Sequence, residues 1–179
     1  MPDFTPRLSK QGMLNSKYWY SDTNPFYPTY GLPNCTCYAW GRFWEISDVV
    51  PHLPTGDGGE WWGRVEGYET GQTPQLGAVL CFNDPSGVYA GHVCIVEEIL
   101  DNGDIITSNS GYSRSPGGYN DPLYFWTATN PVSTNYREGW EVSRGYNTQG
   151  FIYNPEQPVP PVPTRRTGMP LWFYTLRKL

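Results

Sequence analysis

The 179-residue sequence has no apolar run approaching the length of a transmembrane helix, no CxxC pair and only two histidines, His52 and His92. The first absence excludes a helical membrane span. The others argue against a zinc site, because the two histidines lie far apart and the cysteines lack ligand spacing. No charged segment followed by an apolar core is visible, so no Sec-type signal peptide is expected, and action outside a cell would need another delivery route. No metal and no cofactor are expected. Basic charge is also scarce. Arg165, Arg166, Arg177 and Lys178 sit together in residues 164–179, which leaves 8 basic against 17 acidic side chains, or −9, on the rest of the chain. An acidic body argues against nucleic acid as a ligand and offers no attraction to anionic cell-wall polymers.

Glycine (20), proline (18) and aromatic residues (16%) are abundant. This composition predicts one turn-rich domain with short strands, and more aromatic rings than a core can hold. Some are expected to line a groove suited to sugars or peptides. Residues 1–33 predict little regular structure. Residues 35–47 predict a helix, with Tyr38, Arg42 and Glu45 interleaving with Ala39, Phe43 and Ile46 at helical spacing. Gly41 within it predicts close packing against a sheet. Residues 48–76 are loop-like, with a short helical turn near Glu60–Tyr68. Strands are predicted at Gly77–Phe82, His92–Ile99, Asp104–Ser108, Leu123–Thr127 and Phe151–Tyr153, with a hairpin at Asp101-Asn102-Gly103.

The domain is expected to end at residue 154. Residues 155–163 carry five prolines in nine and predict a stiff extended linker. The basic, aromatic tail, 164–179, is too short to fold alone. It reads as a disordered end, a docking peptide for a larger assembly or a membrane-surface peptide.

The chemistry centres on Cys35, which follows Asn34 at the helix start. It reads either as a buried structural cysteine or as a nucleophile whose thiolate the helix dipole favours. Cys37, Cys81 and Cys94 read as core residues, and the protein as reduced. His92, at the mouth of a strand, can supply a base, whereas His52, between prolines, is given no catalytic role. Asn109 can orient the imidazole without adding charge. A two-residue Asn102-Gly103 turn would pair Asp101 with Asp104 and set Asn109 opposite Val96, four residues from His92. The His92–Asn109 pair therefore requires a different register or a bulge, and one is predicted. An oxyanion hole would use the Cys35 backbone N–H and a second donor, with Asn34, Tyr30 and Thr29 as candidates. Trp61, Trp62 and Tyr18-Trp19-Tyr20 either wall a substrate groove or pack under loops.

Four blocks carry a resemblance: Asn34-Cys35-Thr36-x-Tyr38-Ala39-x-Gly41-Arg42, then Gly77-Ala78-Val79, then Gly91-His92-Val93-x-Ile95-Val96-Glu97, and Ser108-Asn109-Ser110-Gly111-Tyr112. In this order, across residues 15–154, they resemble a CHAP domain, the cysteine, histidine-dependent amidohydrolase/peptidase family, and most closely those of phage lysins. The resemblance implies a papain-like α+β fold, with the nucleophile's helix packed on an antiparallel sheet. It implies hydrolysis of a peptidoglycan amide, with Cys35 as nucleophile and His92 as base. Asn109 falls where many members carry Glu, and Gly111 where Asn is common. The calcium loop of some members is not carried over, since only Asp22 is present before the cysteine. Tyr112 joins Trp61 and Trp62 as a candidate groove residue. The implied protein is a phage-encoded amidase or endopeptidase, associated with a virion or released to the host wall. Its expected partners are peptidoglycan and, through residues 164–179, phage tail proteins. The alternative is a non-catalytic tail or wall-binding protein that keeps the fold.

Overall fold

The computed structural model describes residues 4–27, 29–111 and 121–155. Tyr112, nearly all of the proline-rich segment and the basic tail lie outside them. Helix α1 spans Cys35–Ser47, α2 Trp61–Arg64 and α3 Gly139–Ser143. Strands β1 (Thr70–Gly71), β2 (Val79–Asn83), β3 (His92–Ile99), β4 (Ile105–Ser110), β5 (Phe125–Asn130) and β6 (Asn147–Ile152) form one antiparallel sheet in the order β1-β6-β2-β3-β4-β5. The fold is α+β, with α1 laid on one face of the sheet.

The alternation of the central strands divides the core. Val79, Cys81, Val93, Ile95 and Ile152 face α1 and pack with Tyr38, Ala39, Phe43 and Trp61. Leu80, Phe82, Cys94, Val96, Ile105 and Phe151 face the other way, under Tyr136, Trp140 and Tyr146. This is the period-two pattern of a sheet covered on both faces.

Helix α1 is buried along nine consecutive residues, Thr36 to Trp44, so a single amphipathic stripe does not describe it. The sheet covers one side and the irregular segment 4–33 wraps the other. Trp19 is fully buried, stacks on Tyr38 at 6.0 Å and donates its indole N–H to the Tyr38 carbonyl at 3.0 Å. Asn24 donates to the Cys37 carbonyl at 3.1 Å. The expected partner of Gly41 is therefore corrected. A Cβ there would collide with the Trp19 indole and the Tyr18 carbonyl, so the glycine admits the wrapping segment and not the sheet.

The β3–β4 hairpin also departs from the two-residue turn. Leu100 N–H donates to Asp104 O at 2.8 Å and Gly103 N–H to Leu100 O at 2.9 Å, with Gly103 at φ 87°. Leu100 thus pairs with Asp104 across a three-residue loop whose last residue is left-handed. A second shift follows where Val96 pairs with Thr107 but Glu98 with Ile106, leaving Glu97 as a bulge. The predicted irregularity is present. Continued past Ile95↔Ser108, the register sets Asn109 level with Cys94, beside His92.

The bulged Glu97 is completely buried and turned toward α1. It accepts from Arg42 Nε and Nη2 (2.9 Å each), the Arg7 N–H (2.8 Å) and Ser108 Oγ (2.6 Å), while Tyr38 donates to Ser108 Oγ at 2.7 Å. A buried ion pair with every lone pair engaged fixes helix against strand.

Candidate active site

Cys35 is the first residue of α1. Asn34 adopts the extended cap conformation, and its Oδ1 accepts from Cys37 N–H at 2.9 Å and Thr36 Oγ1 at 2.6 Å. Asn34, a candidate oxyanion donor in the sequence, thus has its carboxamide oxygen engaged as the helix cap. The cap leaves the Cys35 and Thr36 N–H groups, which have no acceptor within the helix. These two N–H groups and that of Val93 each favour the Cys35 thiolate.

The Val93 contact follows from the sheet. Val96 exchanges backbone bonds with the β2 side, through Val96 N–H to Ala78 O (3.0 Å) and Gly77 N–H to Val96 O (2.8 Å). By alternation, Val93 N–H faces the β4 side, where registered pairing stops at Ile95. The thiol lies beside the residue that follows His92.

His92 Nε2 is 3.0 Å from Asn109 Oδ1. An amide oxygen only accepts, so Nε2 carries the proton and Nδ1 is left with a lone pair. The amide orientation is itself fixed. Asn109 Nδ2 donates to Thr107 Oγ1 at 3.1 Å and Thr107 O at 3.3 Å, and Asn130 Nδ2 donates to the same Oγ1 at 2.7 Å. Thr107 Oγ1 thereby accepts from two amides, and its hydroxyl pulls the Cys94 thiol down against the larger upward push of burial. All five residues are buried.

Three rings enclose the imidazole: Trp140 edge-on at 4.9 Å, Trp126 stacked at 6.0 Å and Phe82 stacked at 6.2 Å. Behind its backbone, Gly58 and Gly59 press on Gly91 and His92. A Cβ on Gly58 would approach the His92 carbonyl carbon to 3.1 Å, and Gly59 N–H donates to Ala90 O at 2.8 Å.

This enclosure decides the resting protonation. Burial pushes the His92 imidazole down to about 4, against the Asn109 bond, which favours the charged ring. Burial also pushes the Cys35 thiol up to about 11. The three N–H groups pull it down by less, and the Asp57 carboxylate adds a small further push. The helix start was expected to favour thiolate. It does pull that way, but desolvation outweighs it and favours the neutral thiol, and burial likewise favours the neutral imidazole. Such a pair can still perform nucleophilic chemistry if the proton moves to Nδ1 as the sulfur attacks.

The candidate groove residues are placed differently from expectation. Trp61 is fully buried and stacks on Phe26 at 6.1 Å, because the core under the 48–76 loop needs its volume. Trp62 is half-buried and covers Gly150 of β6. His52 is exposed and stacks on Tyr68 at 4.3 Å. Trp126, Trp140, Thr107 and Asn130 were missed. Their signals were there: Thr107 shares a strand face with Asn109, and Trp126 pairs with Asn109 across β4–β5. Among the described residues, no cluster of three or more His, Cys, Asp or Glu side chains could hold a metal.

The CHAP domain family matches residues 22–111, half of the chain. A Staphylococcus aureus protein named "Probable autolysin LDP" is 32% identical over 103 residues, covering 51% of this chain and 36% of the relative. An N-acetylmuramoyl-L-alanine amidase of Staphylococcus haemolyticus is 26% identical over 120 residues, covering 62% of this chain and 36% of the relative. A crystal structure of an N-acetylmuramoyl-L-alanine amidase from Staphylococcus aureus aligns with a TM-score of 0.49 at 20% identity, over 68% of this chain and 31% of that one. The chain thus spans about a third of the length of these curated relatives. The family match takes in the capped helix start, the β3 histidine and the β4 asparagine together, and the chain belongs to the CHAP family.

Proposed function

We propose that this protein is a peptidoglycan hydrolase that cleaves an amide bond through Cys35, His92 and Asn109. The observation that carries the proposal is the 3.0 Å contact from His92 Nε2 to Asn109 Oδ1, which leaves Nδ1 with a lone pair on the strand whose Val93 N–H acts on Cys35. Family membership and relatives named as an autolysin and an amidase supply the substrate class.

The chemistry proceeds as acyl transfer. Cys35 sulfur attacks the peptide carbonyl while its proton passes to His92 Nδ1, and Asn109 holds the resulting imidazolium. The backbone N–H groups of Cys35 and Thr36 receive the developing oxyanion. His92 then protonates the departing amine, leaving a thioester on Cys35. A water molecule, giving its proton to His92, hydrolyses the thioester and restores the thiol.

Wall turbidity measured with wild type, Cys35→Ala and Cys35→Ser tests this. Lysis by wild type alone is expected. Equal lysis by Cys35→Ala, or none by any form, removes the catalytic reading and leaves wall binding. Mass spectrometry of the digest identifies the new amine and hence the bond. We further propose a phage origin and anchoring to a larger assembly through residues 164–179, supported by the proline-rich stretch before them. Unchanged virion binding after deletion of residues 155–179 would overturn the anchoring.

A further inference from the structure

One cation near the site stands apart. Among the described residues, Arg7, Lys10, Lys17, Arg42 and Arg64 pair with carboxylates, and Arg137 is spent on the Thr134 and Tyr146 carbonyls. Arg144 has no carboxylate, in a protein with net charge −5. Its guanidinium lies 4.3 Å from the Tyr89 ring centre and 6.0 Å from that of Trp140.

One of these rings leads to His92. Trp140 is the ring that meets His92 edge-on at 4.9 Å, and it contacts Tyr146 at 5.5 Å. Tyr89 is half exposed but its backbone is fixed. The Asp84 carboxylate collects the N–H groups of Ser86 (2.9 Å), Val88 (3.0 Å) and Tyr89 (2.7 Å), closing the β2–β3 loop on itself. An arginine laid on aromatic faces keeps its in-plane N–H fork directed outward, the geometry that grips a carboxylate. Through Trp140, the fork is within about two or three peptide residues of the atoms around His92.

We propose that Arg144, standing on Tyr89 and Trp140, is a subsite for a carboxylate of the substrate's peptide. The proposal rests on the hydrolase reading and specifies which part of peptidoglycan the cleft recognises: a stem peptide with a free carboxylate a few residues from the cleaved bond. The other cations among the described residues are engaged, so this one can orient the peptide as well as bind it.

The test uses two synthetic stem peptides that differ only in bearing a free carboxylate or a carboxamide at that position. Wild type is expected to show a KM roughly five- to tenfold lower for the carboxylate, a preference that shrinks with added salt. Arg144→Gln should bring the two peptides to a common, weaker KM, and Arg144→Lys should keep part of the difference. Equal KM values in wild type, or an equal rise for both peptides in Arg144→Gln, overturn the subsite. Calorimetric binding of the same peptides to Cys35→Ala, with and without Arg144→Gln, separates the two ideas. If wild type cleaves neither peptide, the hydrolase reading fails on them. Discrimination in binding then still supports the subsite, and its absence overturns it. Discrimination with whole walls rich in anionic polymers but not with isolated peptides also overturns it.

Discussion

Replacing Arg42 by Met should expose how the catalytic helix is locked to the sheet. Glu97 is fully buried in the β3 bulge and loses two of its four hydrogen bonds and its countercharge in this variant. Arg7 cannot substitute, because its guanidinium is bound to Glu45 and only its backbone N–H reaches Glu97. An uncompensated buried carboxylate costs about 3–5 kcal/mol, a large part of the roughly 5–15 kcal/mol that stabilises a domain. Urea unfolding followed by tryptophan fluorescence should therefore show the midpoint falling by about 2 M. Adding Glu97→Gln removes the stranded charge while keeping a polar group for Ser108 and Arg7. The double variant should be more stable than Arg42→Met alone, with a coupling on the order of 1–3 kcal/mol. A cost below about 1 kcal/mol for Arg42→Met, or losses that simply add in the double variant, would refute the lock.

Alkylation of Cys35 by iodoacetamide should climb about tenfold per pH unit from pH 7 to 10, since burial pushes the thiol up to about 11. A flat rate between pH 5 and 8 would instead reveal a preformed thiolate–imidazolium pair and sink the neutral resting state. Thr107→Val removes the acceptor that orients the Asn109 amide, allowing its flip and the wrong His92 tautomer. The turnover number should fall roughly tenfold, from about 1–1.5 kcal/mol of lost orientation, with KM held; the same loss from Thr107→Ser, which keeps the hydroxyl, would contradict this account. Glu141 is buried, and burial raises its carboxyl from 4.5 to about 8. The folded protein keeps a proton that the unfolded chain releases. The resulting stability is complete below pH 4.5 and is lost as pH rises through 8, on the order of 3–5 kcal/mol in all. Glu141→Gln should flatten that stability profile, and parallel curves for the two proteins would exclude the mechanism.

The bounds of α1, the central strands and the positions of Cys35, His92 and Asn109 were legible because each is written in local chemistry: an Asn cap, alternating apolar runs, and polar residues at strand mouths. The need for a bulge was legible too, since no simple hairpin could bring Asn109 beside His92. Its location was not, because the shift is divided between a three-residue turn and a bulge anchored by Arg42, a partner fifty-five residues away. The fates of the aromatic residues were illegible for the same reason. Trp61 and Trp19 fill the core while Trp126 and Trp140 meet His92, and only the tertiary arrangement distinguishes these rings. The elevated thiol escaped the helix-dipole argument because desolvation is a property of the surroundings and not of the helix.

The four thiols also form a built-in ruler of local opening. Cys37, on α1 itself, and Cys81, on β2, are sealed in the core on the α1 side of the sheet, Cys94 in the layer beneath α3, and only Cys35 of the four is partly exposed. Pulsed thiol labelling under native conditions would time the exposure of each layer separately. Simultaneous labelling of Cys81 and Cys94 would mark the two layers as one cooperative unit. Earlier labelling of Cys94 would show that the layer beneath α3 breathes independently of α1.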